Sequence, residues 1–483
     1  MPRVTLRWAA LGLAVYFLYF FGLTAVGLLG PDEPRYASIG REMAHSGDWI
    51  TPRLWGSPWF EKSPLLYWMI AAGVKLGLGP ELAPRLPVAL ASVLFLCFFQ
   101  HILKLEFGPR PAWFATGILG TSALWVAFSQ VAVTDLPLSV TYSAAMLLAL
   151  RWRTTGDKRL ADASALLLGA AVLAKGLVPL ALAAPLIVLA GKRRREWFRP
   201  TPFILFCLVA VPWYALMAFQ YGEVFINEFF GRHHFDRFTS GVTLHARPFW
   251  FYLPVLVAGL FPWSPLLGLL FKRRLYNDRR KRFLLIWAVY GLVFFSLSSG
   301  KLPGYLLPLF PALAALLGLA LAEAENARLA LAGCALLMVL VPVAAGTFPQ
   351  AFAVGLSRAG FAGWNWPWAA VGLATAAAVY VTGNSRRCFS VITLLILTIF
   401  SVVYLKITMY QQLDRLASAR RLVKYVSGRQ NETCIDNLHR NLRYSLNYYL
   451  ATALPDCSAA PRPHRIRQTP GALPAVINSE DGA

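Results

Sequence analysis

The sequence predicts an α-helical polytopic membrane protein. Of its 483 residues, 57% are hydrophobic and only 14% are charged, whereas a soluble chain of this length would be roughly a quarter charged. The apolar residues fall in blocks of about 17–24, each long enough to cross roughly 30 Å of hydrocarbon as a helix. The basic residues stand in short clusters between these blocks, a pattern typical of the loops that orient membrane helices.

About thirteen crossings are predicted. The first apolar block follows Arg3 and Arg7 and has no small-residue cleavage site, so we expect a retained helix and not a signal peptide. The predicted helices lie near residues 7–29, 84–103, 111–130, 136–150, 161–175, 177–190, 203–220, 249–271, 283–298, 303–321, 328–346, 366–382 and 389–405. One long tilted helix could replace the fifth and sixth, but it would move the basic segment 272–282 to the other side, against the positive-inside rule.

The basic clusters also predict the orientation of the chain. With the N-terminus inside, half of the 46 Lys and Arg residues fall in short cytoplasmic segments, whereas the outer loops, about twice as long in total, hold 12. Residues 1–405 are then the membrane domain, and residues 406–483 form a small outer α/β domain with a loose end. Cys434 and Cys457 share that tail and form a plausible disulfide if it faces an oxidising compartment.

The first outer loop, residues 30–83, is too long to be a simple turn. Tyr36, Ile39 and Met43 recur in it at helical spacing with charged residues between them, which predicts a helix lying in the membrane interface. Residues 63–79 predict a second interfacial or re-entrant helix.

Ionisable residues at membrane level are costly and usually functional. The predicted orientation brings one set of them, from five loops, to the outer face. They are Asp32, Glu33, Arg35, Glu61, Lys62, Asp135, Lys175, His233, His234, Arg237 and Lys301. Their shared face predicts a site at the outer membrane surface.

Each of these residues also has a plainer explanation. Asp135 could cap the helix that follows it, and Lys175 could reach the lipid headgroups. Glu61 and Lys62 could anchor an interfacial helix, and the segments "RHHFDRF" and "GKLPGYLLP" could be an exposed loop and turn. The convergence of the whole set on one face favours the site over these separate explanations.

The residue types in this set point to a phosphate-bearing substrate. Arg and Lys bind phosphate, and a carboxylate beside them can act as a general base or stabilise positive charge at a reacting carbon. Glu61 with His233 or His234 could also hold a divalent cation. The combination suggests a lipid-phosphate donor whose phosphate becomes the leaving group. Because the basic residues are dispersed, with no long basic patch interleaved with aromatics, nucleic acid is not an expected partner.

Several segments carry a family resemblance. The run "GPDEPRYASIGREMAHSGDWITPRLWGSPWFEKSPLLYWM" resembles the first periplasmic loop of bacterial polyprenyl-phosphate-sugar glycosyltransferases of the lipid A aminoarabinose transferase group. That group has the GT-C membrane fold and is related to the protein O-mannosyltransferases. "VTDLPLS", "LAKGLVPL", "HARPFWFYLPVLVAGLFPWSP" and "SGKLPGYLLPLFPALA" are similar to the same group, in the same order, although the tail of this chain is shorter.

The resemblance implies an inner-membrane enzyme with its active site and C-terminal domain facing the periplasm. It would transfer a sugar from an undecaprenyl-phosphate donor to lipid A or another periplasmic acceptor, with inversion at the anomeric carbon and without a nucleotide cofactor. Membrane lipids would be its other partners. The implied residues are Asp32 and then Asp135 for catalysis; Arg35, Lys62, Lys175 and Arg237 for the donor phosphate; Glu33, Tyr36, Lys301 and Tyr305 for the cavity; and Glu61 with His234 or His233 for a possible Mg, Mn or Zn ion.

Two questions stay open at the level of sequence. The sugar could be aminoarabinose, galactosamine, mannose or another, and the acceptor could be a lipid, a glycan or a protein. A lipid or sugar transporter is the alternative to an enzyme, but the unusual charges gather at one face and do not mark a path through the bilayer.

Overall fold

The computed structural model describes residues 2–191, 199–236, 247–348, 360–364, 366–469 and 473–478, and the chain in these ranges is largely helical. The α-helices of the membrane region are Pro2–Val15, Leu82–Phe107, Pro109–Thr121, Ala123–Phe128, Asp135–Thr155, Lys158–Lys175, Val178–Leu182, Pro185–Ala190, Pro200–Ile226, Tyr252–Gly259, Arg279–Leu297, Phe310–Glu323, Arg328–Thr347, Trp366–Thr382 and Arg387–Ala417. Short π-helical segments span Tyr16–Phe20 and Asn227–Asp236, and 3-10 segments span Phe249–Phe251, Ser264–Phe271, Arg273–Asn277, Pro303–Leu309 and Gln430–Glu432.

Fewer than thirteen helices are long and apolar enough to cross a membrane when each described helix is considered by itself. Four described helices are long and apolar enough to cross a membrane: Leu82–Phe107, Pro200–Gly231, Pro303–Glu323 and Arg387–Ala417. A fifth span would be the pair Phe249–Gly259 and Ser264–Phe271, which bends by 111°. Every one of the predicted positions carries helix, but many of these helices are short or broken. The protein is a multi-pass membrane protein, and thirteen crossings stay a prediction.

Two boundaries predicted from the sequence can be compared with the helices of the structure. The predicted break after Lys175 is present, because Gly176 takes φ 63° and the next helix begins at Val178. A positive φ of this kind is open to glycine and strained for other residues. The predicted domain boundary at residue 405, in contrast, falls inside the helix Arg387–Ala417, which continues without interruption to Ala417.

The helices pack around one large apolar core. Trp125, Trp263 and Trp287 are fully buried in it. Close approach is possible where small residues meet: a Cβ added at Gly318 would lie 2.5 Å from the backbone nitrogen of Ala115. Small residues at such crossings let helix backbones approach each other in a membrane protein.

The first loop is folded onto this core. It contains the helix Asp32–Ser46, called here the first-loop helix, the short antiparallel strands Arg53–Leu54 and Ser57–Pro58, and the helix Leu65–Lys75. The structure confirms a helix at this position. Its apolar side, with Tyr36, Ile39 and Met43, is buried inside the protein, because it packs against the helix Leu65–Lys75. That this helix lies in the membrane interface stays a prediction.

The tail beyond Ala417 has its own small core and a three-stranded sheet. Its helices are Arg420–Val426 and Arg440–Leu450, the latter called here the tail helix. Strand Thr433–Asn437 runs parallel to His464–Arg467, which pairs antiparallel with Ala475–Asn478. A disulfide joins Cys434 to Cys457, the pairing that the sequence suggests, and the tail helix lies between the two cysteines in the chain.

Candidate functional site

The first membrane helix ends earlier than predicted, and the segment that follows leads to the candidate site. Helical structure stops at Phe20, and the chain is not helical again until Asp32. Three cations from distant parts of the chain donate hydrogen bonds to the backbone carbonyls that are freed here. Lys406 donates to those of Phe17, Leu18 and Phe21. Arg85 donates to those of Leu23, Val26 and Gly27, and Arg420 to those of Thr24 and Ala25. Such donors are needed because hydrocarbon offers no hydrogen bonds to an unwound backbone.

Glu33 belongs to this support and not to a substrate cavity. It is completely buried, and its carboxylate accepts two hydrogen bonds from Arg85, at 2.7 and 2.8 Å. It also accepts from the backbone N–H groups of Leu29 and Ala132. The prediction that Glu33 lines the cavity is therefore wrong, because this carboxylate is saturated with donors and no substrate can reach it.

Four predicted residues of the first loop form one charged cluster, called here the loop cluster. Arg35 donates from Nη2 to Asp32 at 2.5 Å, and its Nη1 lies 3.1 Å from Glu61. Lys62 Nζ lies 3.1 Å from the other oxygen of Glu61. The Asp32 side chain is 40% exposed, whereas that of Glu61 is 7% exposed. Asp32 is thus the accessible carboxylate of the loop cluster.

The electrostatics of the loop cluster keep Arg35 charged and Tyr36 neutral. Burial opposes the charge of Arg35, but the carboxylates of Glu61 and Asp32 outweigh burial and raise the pKa of the guanidinium above its ordinary value. Burial raises the pKa of the Tyr36 phenol well above its ordinary value, and the same carboxylates raise it further. Tyr36 is buried, and its ring lies against the guanidinium of Arg35. It therefore supports the site from within the protein, whereas the sequence predicted that it lines the cavity.

A second cluster of predicted residues surrounds Lys175. Its Nζ donates to Asp135 at 2.6 Å and lies 4.4 Å from the centre of the Tyr305 ring. The N-cap position of the helix is Thr134 and Asp135 is the first helical residue, so Asp135 is not the cap that the plainer explanation requires. Lys175 is likewise held inside the protein and not extended to headgroups, since its side chain is only 15% exposed.

The two clusters lie at the same end of the molecule. Ser63 follows Lys62, and its Oγ lies 2.9 Å from the hydroxyl of Tyr214, which donates to the carbonyl of Val172 one turn before Lys175. Phe60 and Leu173 also pack in one apolar group. This network fixes the first loop against the end of the helix that carries Lys175.

Lys301 does not join either cluster. Its ammonium is buried and donates to the backbone carbonyls of Ser298 and Arg247. In the structure its donors hold the backbone of the turn before Tyr305. That Lys301 lines the cavity stays a prediction.

The predicted metal ligands are only partly described. Arg237 and the side chains of His233 and His234 lie outside the described residues. Within the described ranges, no group of three or more His, Cys, Asp and Glu side chains could hold a metal ion. Glu61, the remaining predicted ligand, contacts Arg35 and Lys62. A divalent cation at this site stays a prediction.

Sequence analysis missed several residues that shape the site. Arg85 lies in an apolar helix, and an ionisable group at that depth was a signal that it has a specific partner. Trp59 and Tyr444 place their rings against Arg35, with centroids 5.3 and 5.6 Å from its guanidinium carbon. No sequence pattern marks these two aromatic residues.

Comparison with known proteins gives a consistent result. A family model described as dolichyl-phosphate-mannose-protein mannosyltransferase matches residues 61–217. An undecaprenyl phosphate-alpha-4-amino-4-deoxy-L-arabinose arabinosyl transferase of Edwardsiella ictaluri is 37% identical over 324 residues, which are 63% of this chain and 58% of that protein. The transferase of the same name from Pseudomonas aeruginosa is 32% identical over 416 residues, 76% of this chain and 74% of that one.

Solved structures agree with these relatives. The crystal structure of ArnT from Cupriavidus metallidurans bound to undecaprenyl phosphate has a TM-score of 0.75 and 25% identity, covering 92% of this chain and 85% of that one. The arabinosyltransferase EmbB from Mycobacterium smegmatis shares the fold, with a TM-score of 0.54, 15% identity, and coverage of 87% of this chain and 43% of that one. The chain spans less than two thirds of the length of the Edwardsiella relative. The match to the Pseudomonas aeruginosa protein covers three quarters of both chains, and the chain therefore belongs to the undecaprenyl phosphate-aminoarabinose arabinosyl transferase family.

Proposed function

We propose that the protein is a membrane glycosyltransferase that moves a sugar, of the aminoarabinose type, from an undecaprenyl-phosphate donor to lipid A. The observation that carries this proposal is the loop cluster, where the accessible carboxylate of Asp32 stands beside Arg35 at the start of the first loop. Membership of the family and the fold shared with a structure bound to undecaprenyl phosphate support the donor. The active site would face the periplasm across the bacterial inner membrane, with the donor's lipid tail in the bilayer.

The donor phosphate would lie among Arg35, Lys62 and Lys175. The two clusters pair three carboxylates with three cations, so their formal charges cancel. The leaving phosphate gains negative charge as its bond to the sugar breaks, so added positive charge at that place lowers the barrier. Arg237 would supply such charge, and a divalent cation, which Glu61 with His234 or His233 would hold, would supply more when bound.

Asp32 would act at the sugar carbon. In the reaction, the bond between the anomeric carbon and the phosphate oxygen breaks, and a bond from that carbon to an acceptor oxygen forms on the opposite face, which inverts the centre. A hydroxyl acceptor must lose its proton, which Asp32 would take as general base. A lipid A phosphate is already ionised near pH 7, and Asp32 would then stabilise the positive charge that develops on the sugar. Asp135 is the second candidate for this role.

The alternatives differ in substrate or in class. A different sugar, such as galactosamine or mannose, or a different lipid, glycan or protein acceptor would use the same clusters. A lipid or sugar transporter would instead need polar groups along a path. At the other end, the buried Glu106 pairs with the partly exposed Arg151 and Arg280, and these pairs join the ends of three helices and mark no path, which favours the enzyme.

A reconstituted assay tests the proposal. The purified chain would be placed in nanodiscs with undecaprenyl-phosphate aminoarabinose and lipid A, and the lipids analysed by mass spectrometry. The expected result is lipid A that is heavier by one aminoarabinose residue, with release of undecaprenyl phosphate. Unchanged lipid A, with donor moved between leaflets in liposomes, would support the transporter. Donor consumption without lipid A modification would indicate another acceptor, and mass spectrometry of lipid A from a deletion strain would check the result in the cell.

A further inference from the structure

The guanidinium of Arg35 is only partly satisfied by its charged neighbours. Its Nη2 donates to Asp32 and its Nη1 lies beside Glu61. Its Nε is buried and has no hydrogen-bond partner among the described residues. A buried donor without a partner costs free energy, so this N–H indicates a missing acceptor. A phosphate oxygen suits it, because Arg binds phosphate through paired N–H groups.

Aromatic rings fix the plane of this guanidinium. The ring centroids of Trp59, Tyr36 and Tyr444 lie 5.3, 5.5 and 5.6 Å from its carbon, within the range of cation–π contacts. Trp59 and Tyr36 belong to the first loop, whereas Tyr444 belongs to the tail helix. We call these three rings the aromatic box. The indole N–H of Trp59 is also buried without a partner among the described residues.

The tail helix is firmly attached at this place. Ser445 donates to the carbonyl of Leu28, and the hydroxyl of Tyr449 accepts from the backbone N–H of Leu28. Arg41 of the first-loop helix donates to the carbonyl of Tyr448 at 2.6 Å. These bonds set the position of the tail helix relative to the segment that leads to Asp32.

A strained residue completes the contact on the first loop. Trp55 has φ 54°, a backbone conformation that is costly for a residue with a large side chain. Glu42 holds it there by accepting from the backbone N–H groups of Trp55 and Gly56, at 2.6 and 2.9 Å. The Trp55 ring then stacks on Tyr444 with a centroid separation of 5.6 Å and an interplanar angle of 19°. The strain is thus maintained at the place where loop and tail meet.

We propose that Tyr444 is a positioning residue of the donor-phosphate site. It acts through Arg35: stacked on Trp55, its ring closes the aromatic box and holds the guanidinium so that Nε–H stays available to a phosphate oxygen. The tail would then contribute a residue that positions the donor site. This inference rests on the proposed function, because it concerns the same donor.

Binding measurements on the full-length chain in nanodiscs test the role of Tyr444. The probe is undecaprenyl phosphate, and undecaprenol, which lacks the phosphate, is the reference lipid. Tyr444→Leu should weaken the binding of undecaprenyl phosphate by about five- to thirtyfold, the range expected for one partly desolvated cation–π contact. It should leave undecaprenol binding unchanged. Tyr444→Phe keeps the ring and should bind within about twofold of the unaltered chain. Tyr425→Leu, at an exposed tyrosine of the same tail, is the matched control.

The outcomes separate the possible failures. Equal affinities of Tyr444→Leu and the unaltered chain for undecaprenyl phosphate would overturn the role of Tyr444 and leave the proposed function standing. Parallel losses for both lipids, or a Tyr444→Phe variant as weak as Tyr444→Leu, would show that the residue serves packing only, which also overturns it. No binding by the unaltered chain would remove the proposed donor itself. If Tyr444→Leu does not fold, Trp59→Leu opens the box from the first loop and should show the same phosphate-specific loss; its absence would overturn the proposal.

Discussion

The buried pair of Glu33 and Arg85 should be essential for the structure that carries Asp32. Arg85→Met removes two hydrogen bonds to Glu33 and three to carbonyls of the unwound segment. It leaves the Glu33 carboxylate buried without its counter-charge, which costs about 3–5 kcal/mol when one partner of a buried pair is removed. The more exposed pair of Arg53 and Asp48, separated by 3.7 Å, provides the control. Arg53→Met should cost at most about 1 kcal/mol.

Thermal unfolding in detergent measures this difference. A loss of 3–5 kcal/mol lowers the midpoint by roughly 6 °C or more if each kcal/mol is worth about 2 °C, the lower value for large domains. The double variant Glu33→Gln with Arg85→Met removes the uncompensated charge and should recover part of the loss, because replacing both partners is less costly than breaking the pair. A midpoint for Arg85→Met equal to that of Arg53→Met would refute the reasoning. A double variant as unstable as the sum of the single changes would also refute it, since the two charges would then not be coupled.

Three further predictions concern the donor site, the orientation and the metal. Lys62→Ala should lower turnover by about 10²–10³-fold, the scale of one lost transition-state donor, whereas Lys75→Ala, at an exposed lysine of the same loop, should have little effect in the same transfer assay. A phosphatase fused after Ala483 should be active, and a reporter that works only in the cytoplasm should be silent there; the opposite pattern would contradict the predicted topology. Chelation with EDTA should lower transfer and added Mn²⁺ or Zn²⁺ restore it, whereas full activity after chelation would remove the metal assigned to Glu61 and His234.

The helices were predictable from sequence because apolar length and basic clusters are local properties. The end of the first helix was not. An uninterrupted apolar run to Leu29 predicts a helix, but the chain unwinds after Phe20 because Lys406, Arg85 and Arg420 supply donors to its carbonyls. These cations are distant in sequence, so no local pattern can reveal that the unwound backbone is stabilised.

The site also contains some contacts that the sequence predicts and others that depend on residues distant in sequence. The orientation brought Asp32, Arg35 and Glu61 to one end, and the structure places them in contact. Glu33 was misassigned because adjacent residues of a helix point about 100° apart, so that one carboxylate is accessible and the next is buried. Tyr444 could not be found, because its role depends on how the tail helix packs against the first loop.

The central claim is that Asp32 performs chemistry on the sugar of a polyprenyl-phosphate donor. Asp32→Asn keeps the size of the side chain and removes its charge, so it separates chemistry from packing. The decisive measurement is the rate of sugar transfer by the purified variant in nanodiscs, with its unfolding midpoint and its affinity for undecaprenyl phosphate determined on the same sample. We predict a folded protein that still binds undecaprenyl phosphate and transfers sugar at least about 10²-fold more slowly. Transfer at a near-normal rate would contradict the account and direct attention to Asp135, the second carboxylate at this end of the molecule.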